Sequence, residues 1–125
     1  MNPRISDAEW RVMKVVWRKP HCGAQDIIGA LANSTDWSPG TIKTLLNRLV
    51  RKKALGFARE GKVYRYFARV TEEECRAAEA ETFLDRVFNG ALTPMVAHFV
   101  NNRRLSRKEI EELEQLLRQG KKSGE

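Results

Sequence analysis

The chain has 125 residues, 42% of them hydrophobic and 31% charged, with a formal net charge of +7; that length suits a small domain with an appended oligomerisation segment. No apolar run approaches the roughly 20 residues that span a bilayer, and the opening MNPRISDAEW lacks the apolar core of a signal peptide, so a cytoplasmic protein without direct membrane binding is expected. The charge is uneven: residues 1–70 carry 14 Lys and Arg against 5 Asp and Glu, and residues 71–125 carry 9 against 11, as expected for a polyanion-binding part followed by a segment with another task.

Ser6 and Glu9 make a capping box, and Ala8, Val12, Val15 and Val16 with Trp10, Met13 and Trp17 predict a helix to Arg18, ended by Lys19-Pro20. A second helix is predicted over Gly23 to Ala32, with Ile27, Ile28 and Leu31 as its buried stripe. The third lies within Asp36 to Lys53, where Ser38 is a natural N-cap, Pro39 suits the first helical position, and Ile42, Leu45, Leu46 and Leu49 recur at helical spacing. Lys43, Thr44, Asn47, Arg48 and Arg51 then fall opposite the apolar face. Cations mixed with short hydrogen-bonding side chains suit a DNA groove, where Arg and Lys meet phosphates or guanine and Asn meets adenine. The same face also reads as a solvated basic surface, and its neighbours decide between the two.

Leu55 to Glu60 and Val63 to Val70 are extended runs separated by Gly61-Lys62, a hairpin signal. Three helices and a hairpin in a basic stretch predict a winged helix-turn-helix DNA-binding domain over residues 1–70, within a mainly α (α+β) fold. Tyr64, Tyr66 and Ala68 should pack on the helices, while Arg65 and Arg69 point away and Lys62 sits at the hairpin tip. Tyrosines beside basic residues also fit stacking on single-stranded bases, although packing is the commoner fate of alternating aromatics.

Thr71 and Glu74 open a helix that Asn89-Gly90 should stop, with Ala77, Ala80, Phe83, Leu84, Val87 and Phe88 on its apolar face. A shorter helix is predicted from Thr93-Pro94, with Met95, Val96, Phe99 and Val100 apolar. Ser106 and Glu109 open another, striped by Ile110, Leu113, Leu116 and Leu117. Residues 71–119 thus form a three-helix segment too small to fold alone, and two interleaved copies are the economical cover for Phe83, Leu84, Val87, Ile110, Leu113, Leu116 and Leu117. Residues 120–125 are expected to be a disordered tail. Cys22, Cys75, His21 and His98 lack finger-like spacing, so no metal or cofactor is expected. No Gly-rich phosphate loop or nucleophile constellation points to an enzyme.

From SDAEWRVMKVVW through DWSPGTIKTLLNRLVRKKAL and GKVYRYFARVTEEE to LSRKEIEELEQLL, the chain resembles repressors of the BlaI/MecI/CopY family. The resemblance implies a homodimer with a winged-helix domain and a C-terminal helical dimerisation domain, repressing from a dyad-symmetric double-stranded DNA operator. It places the helix from Ser38 to Lys53 in the major groove, with Thr41, Lys43, Thr44, Asn47 and Arg48 as groove or phosphate contacts. The chain ends in LLRQGKKSGE without the Cys-x-Cys pairs of the copper-responsive branch, which excludes copper sensing through that device. In the β-lactam-responsive branch a membrane-bound sensor metalloprotease triggers cleavage at an Asn-Phe bond, and His98-Phe99 is the matching pair here. Release by a small ligand or a redox change, and a winged helix used only for protein assembly, are the alternative readings.

Overall fold

The computed structural model describes residues 3–102 and 105–123. In chain order it contains α1 (Asp7–Arg18), β1 (Cys22–Gly23), α2 (Ala24–Leu31), α3 (Pro39–Arg51), β2 (Leu55–Glu60), β3 (Val63–Ala68), α4 (Glu72–Phe88), α5 (Leu92–Asn102) and α6 (Arg107–Ser123). These elements form two compact units that divide between Glu81 and Thr82, inside α4. The first unit therefore takes in the opening turns of α4, past the boundary at residue 70 expected from the sequence. The buried side chain of Cys75 accounts for this, because it joins the core of the first unit.

In the first unit, the Ser6 hydroxyl accepts from Glu9 N at 3.2 Å and the Glu9 carboxylate accepts from Ser6 N at 2.8 Å, so two otherwise unpaired backbone donors at the start of α1 are each satisfied by the other residue's side chain. After α1 the chain turns through His21, which has a positive φ of 60°, into β1. This strand was not expected, because two residues are too short to carry an alternation. It pairs antiparallel with β3, Cys22 opposite Tyr66 and Gly23 opposite Arg65, and gives a three-stranded sheet in the order β1-β3-β2. At α3, the Ser38 hydroxyl accepts from Thr41 N at 3.1 Å and Pro39 occupies the first turn. That helix stops where Lys53 takes a left-handed φ of 66° and Ala54 N returns to Leu49 O at 3.0 Å. Val12, Met13, Val16, Ile27, Ile42, Leu46, Leu49 and Leu55 fill the core between the three helices and the sheet. The Trp17 indole donates to Val70 O at 3.0 Å and ties α1 to the end of the hairpin.

Two features inside this unit depart from expectation. Tyr66 and Ala68 pack against the core, but Tyr64 remains 47% exposed, resting edge-on against Phe57 with ring centroids 5.0 Å apart. An open cleft lined by Val50 and Arg51 of α3 lies against that ring and leaves it uncovered. Glu9, apart from its capping role, is buried and takes a hydrogen bond from Lys52 at 2.5 Å; Lys52 also donates to Arg4 O at 2.9 Å. Burial works to raise the Glu9 pKa, but the hydrogen bonds from Lys52 and Ser6 outweigh it and hold the carboxyl below its ordinary value. The pair fastens the start of α1 to the end of α3.

In the second unit, α4 ends at Phe88 and is followed by Asn89 and Gly90, both with positive φ, and Gly90 N returns to Leu84 O at 3.1 Å. The Ser106–Glu109 capping box that opens α6 is formed, with both hydrogen bonds at 3.1 Å. α6 runs on to Ser123, past the end at residue 119 expected from the sequence; residues 124 and 125 of the expected disordered tail lie outside the described residues. Among the described residues from Thr82 to Gly120, none is buried. Val96 and Phe99 of α5 are 40% and 43% exposed, where a buried helix face was expected.

Candidate nucleic-acid interface

The capped start of α3 and its four buried residues, Ile42, Leu45, Leu46 and Leu49, fix which way the helix faces, and so fix the outward set. Thr41, Lys43, Thr44, Asn47, Arg48 and Arg51 are all exposed. Two of them are already partly engaged: the Thr41 hydroxyl lies 3.1 Å from that of Ser38, and the Thr44 hydroxyl donates to Gly40 O at 3.0 Å. Thr44 thus has its methyl and an oxygen lone pair left to offer an incoming surface.

The outward set splits between two sides. Lys43 and Asn47 line a cleft of about 560 Å³ with Lys62 and Arg65 of the hairpin and Gly23 to Asp26 at the start of α2. Asn47 and Arg51 line a second cleft, of about 490 Å³, against Phe57, Tyr64 and Tyr66. Thr41, Thr44 and Arg48 line neither of these clefts. Thr41, Lys43, Thr44, Asn47, Arg48 and Arg51 thus all sit on α3, and Lys62 and Arg65, the candidate DNA-binding residues expected on the hairpin, face part of it from there.

Asp26 was not singled out from the sequence. Its carboxylate accepts from Gly23 N at 3.0 Å and lies 3.7 Å from Lys19 and 3.6 Å from Arg65, which also meets Glu60 at 3.4 Å. The Gly23 N–H first, then the Lys19 charge, lower the Asp26 pKa. Arg65 therefore does not stand free: it bridges the hairpin to the first turn of α2. An acid at the third position of a predicted helix was the available signal, but its partner lies far along the chain. Phe57 was missed for a similar reason, since alternation alone places it on the packed face.

Burial pushes both the Cys22 and Cys75 thiols up, away from the reactive thiolate, which disfavours the redox reading. His98 and Phe99 lie within α5, the rings 5.5 Å apart, and Asn102 donates to His98 O at 2.9 Å. Among the described residues no cluster of His, Cys, Asp and Glu is arranged to hold a metal ion, and no helix is long and apolar enough to cross a membrane.

Comparison with known proteins fits this geometry. The penicillinase repressor family profile matches residues 5–119. The chain is 41% identical over 119 residues to the penicillinase repressor of Bacillus licheniformis, covering 95% of this chain and 93% of that protein. It is 36% identical over 113 residues to the methicillin resistance regulatory protein MecI of Staphylococcus aureus, covering 90% and 92%. The solution structure of monomeric B. licheniformis BlaI in complex with the blaP half-operator superposes with a TM-score of 0.53 at 40% identity, over 59% of this chain and 90% of that one. The chain belongs to the penicillinase repressor family, whose members are transcriptional repressors and not enzymes.

Proposed function

We propose that this cytoplasmic protein represses transcription by binding a dyad-symmetric operator as a homodimer, with α3 in the major groove of each half-site. The carrying observation is the exposed side of α3, where Lys43, Asn47, Arg48 and Arg51 stand beside a basic hairpin. An α-helix about 10–12 Å across fits a major groove about 12 Å wide. That the similar B. licheniformis BlaI is found in complex with a half-operator supports operator binding. At physiological salt the protein should prefer a palindromic duplex over random DNA; equal retention of the two would favour a winged helix used for assembly.

Within that interface the residues divide by role. Asn47→Ala and Thr44→Ala should change which operator bases are preferred, at a cost of about 1–3 kcal/mol in discrimination. Lys62→Ala at the hairpin tip should weaken binding to all sequences alike and lower the salt slope by roughly one unit. Competition binding separates the two. Equal losses on specific and random DNA for both α3 variants would show that neither reads bases.

Dimerisation is assigned to Phe83, Leu84, Val87, Ile110, Leu113, Leu116 and Leu117, because the second unit has no buried residue among those described between Thr82 and Gly120. Release is assigned to cleavage of His98-Phe99 after a membrane-bound sensor metalloprotease is activated. The bond lies within α5, so a protease must wait for local unwinding, and operator binding should protect it by favouring the dimer. Repressor recovered from induced cells should end at His98. Intact chain after full derepression would rule the cut out and leave a small ligand as the releasing signal.

A further inference from the structure

The hairpin face that looks toward α3 loses its cover stepwise. Leu55 and its cross-strand partner Ala68 pack on the core and Tyr66 is half-buried, but Phe57, opposite Tyr66, and Tyr64 are 49% and 47% exposed. These two rings form one wall of the 490 Å³ cleft, and Asn47, Val50 and Arg51 of α3 form the other. Among the described residues, Arg51 brings the only formal charge in that lining, and no carboxylate enters it. Two exposed aromatic rings facing a cation across an open cleft suit an occupant with an apolar face and a negative edge.

We propose that this cleft grips the sugar-phosphate strand bordering the occupied major groove, with Phe57 and Tyr64 against deoxyribose and Arg51 on phosphate. The inference rests on the proposed docking of α3. A helix about 10–12 Å wide fills a groove of about 12 Å, so a hairpin alongside it must stand over the bordering strand. The cleft between helix and hairpin then falls on that strand. Deoxyribose lacks the 2′-hydroxyl and presents carbon to the rings, while the phosphate supplies the charge that Arg51 lacks a partner for within the cleft. The rings bind without reading sequence, because every nucleotide carries the same sugar.

The test begins with a duplex selected from a random pool by the full-length protein; failure to recover one would count against the proposed function rather than the cleft. Hydroxyl radicals, which attack exposed deoxyribose hydrogens, should leave the sugars bordering the occupied groove uncut in the wild-type complex. Phe57→Ala should restore cutting there. It should also lower affinity about tenfold for selected and random duplexes alike, with the salt slope unchanged. Arg51→Ala should instead reduce that slope by about one unit, and Phe57→Leu, which keeps an apolar wall, should retain most of the binding. Those border sugars being cut in the wild-type complex as readily as in free DNA would overturn the proposal whether or not the variants fold. So would wild-type binding by both Phe57→Ala and Tyr64→Ala, or a loss for Phe57→Ala confined to the selected duplex.

Discussion

Replacing Leu113 and Leu117 together by Glu should convert the protein to monomers and reduce operator affinity about a thousandfold, within the range lost when two linked sites are separated. Both leucines lie on α6 and are exposed in the single chain, Leu117 at 72%. In the proposed dimer a second copy covers them, and a glutamate pair placed in that contact would face charge desolvation without partners. The first unit contains neither residue, so its folding should be untouched. Sedimentation and DNA titration on the same samples decide the matter: a variant still dimeric at low micromolar concentration and binding normally would refute the assignment of the interface.

The second large effect is expected in the first unit. Lys52→Met should cost on the order of 2 kcal/mol, less than the roughly 3–5 kcal/mol of a fully enclosed pair because Lys52 is 38% exposed. In a domain of this size that lowers the melting temperature by about 10 °C. The pH dependence carries the sign. In the wild type the Glu9 pKa is lowered, so its contribution is complete above the ordinary carboxylate value of 4.5 and is lost as pH falls through the lower folded value. Without Lys52 its hydrogen bond and its charge no longer lower the Glu9 pKa, which therefore rises relative to the wild type, so the stability gap between variant and wild type should narrow as the solution becomes acid. Melting curves at pH 7 and pH 4 should converge. A gap of constant size across that range would mean that Glu9 does not depend on Lys52 for its charge.

What could be read from the sequence was what is local. Ser6 with Glu9, Ser38 with Pro39, and Ser106 with Glu109 are each settled within a single turn, and each cap stands where its spacing placed it. The outward side of α3 followed from its apolar stripe for the same reason. The misses are all matters of distant partners. Nothing within Cys22–Gly23 announces a strand until β3 is beside it, and nothing near Asp26 announces Arg65. Tyr64 and Tyr66 carry the same alternation, yet one is half-buried and the other exposed, because alternation assigns a face and not how far the opposing helices reach. Val96 and Phe99 show the same limit: helical spacing marks them as apolar-faced but does not say which molecule covers them.

A second unit with no described side chain buried between Thr82 and Gly120 also bears on gene dosage. If its cover is another copy, assembly is second order in chain number, and where most chains are unpaired a doubling of supply raises the assembled form about fourfold. Repression would then respond more steeply to copy number than to the amount of any monomeric regulator. The same steepness operates in reverse: removing a modest fraction of chains empties the operator by more than that fraction.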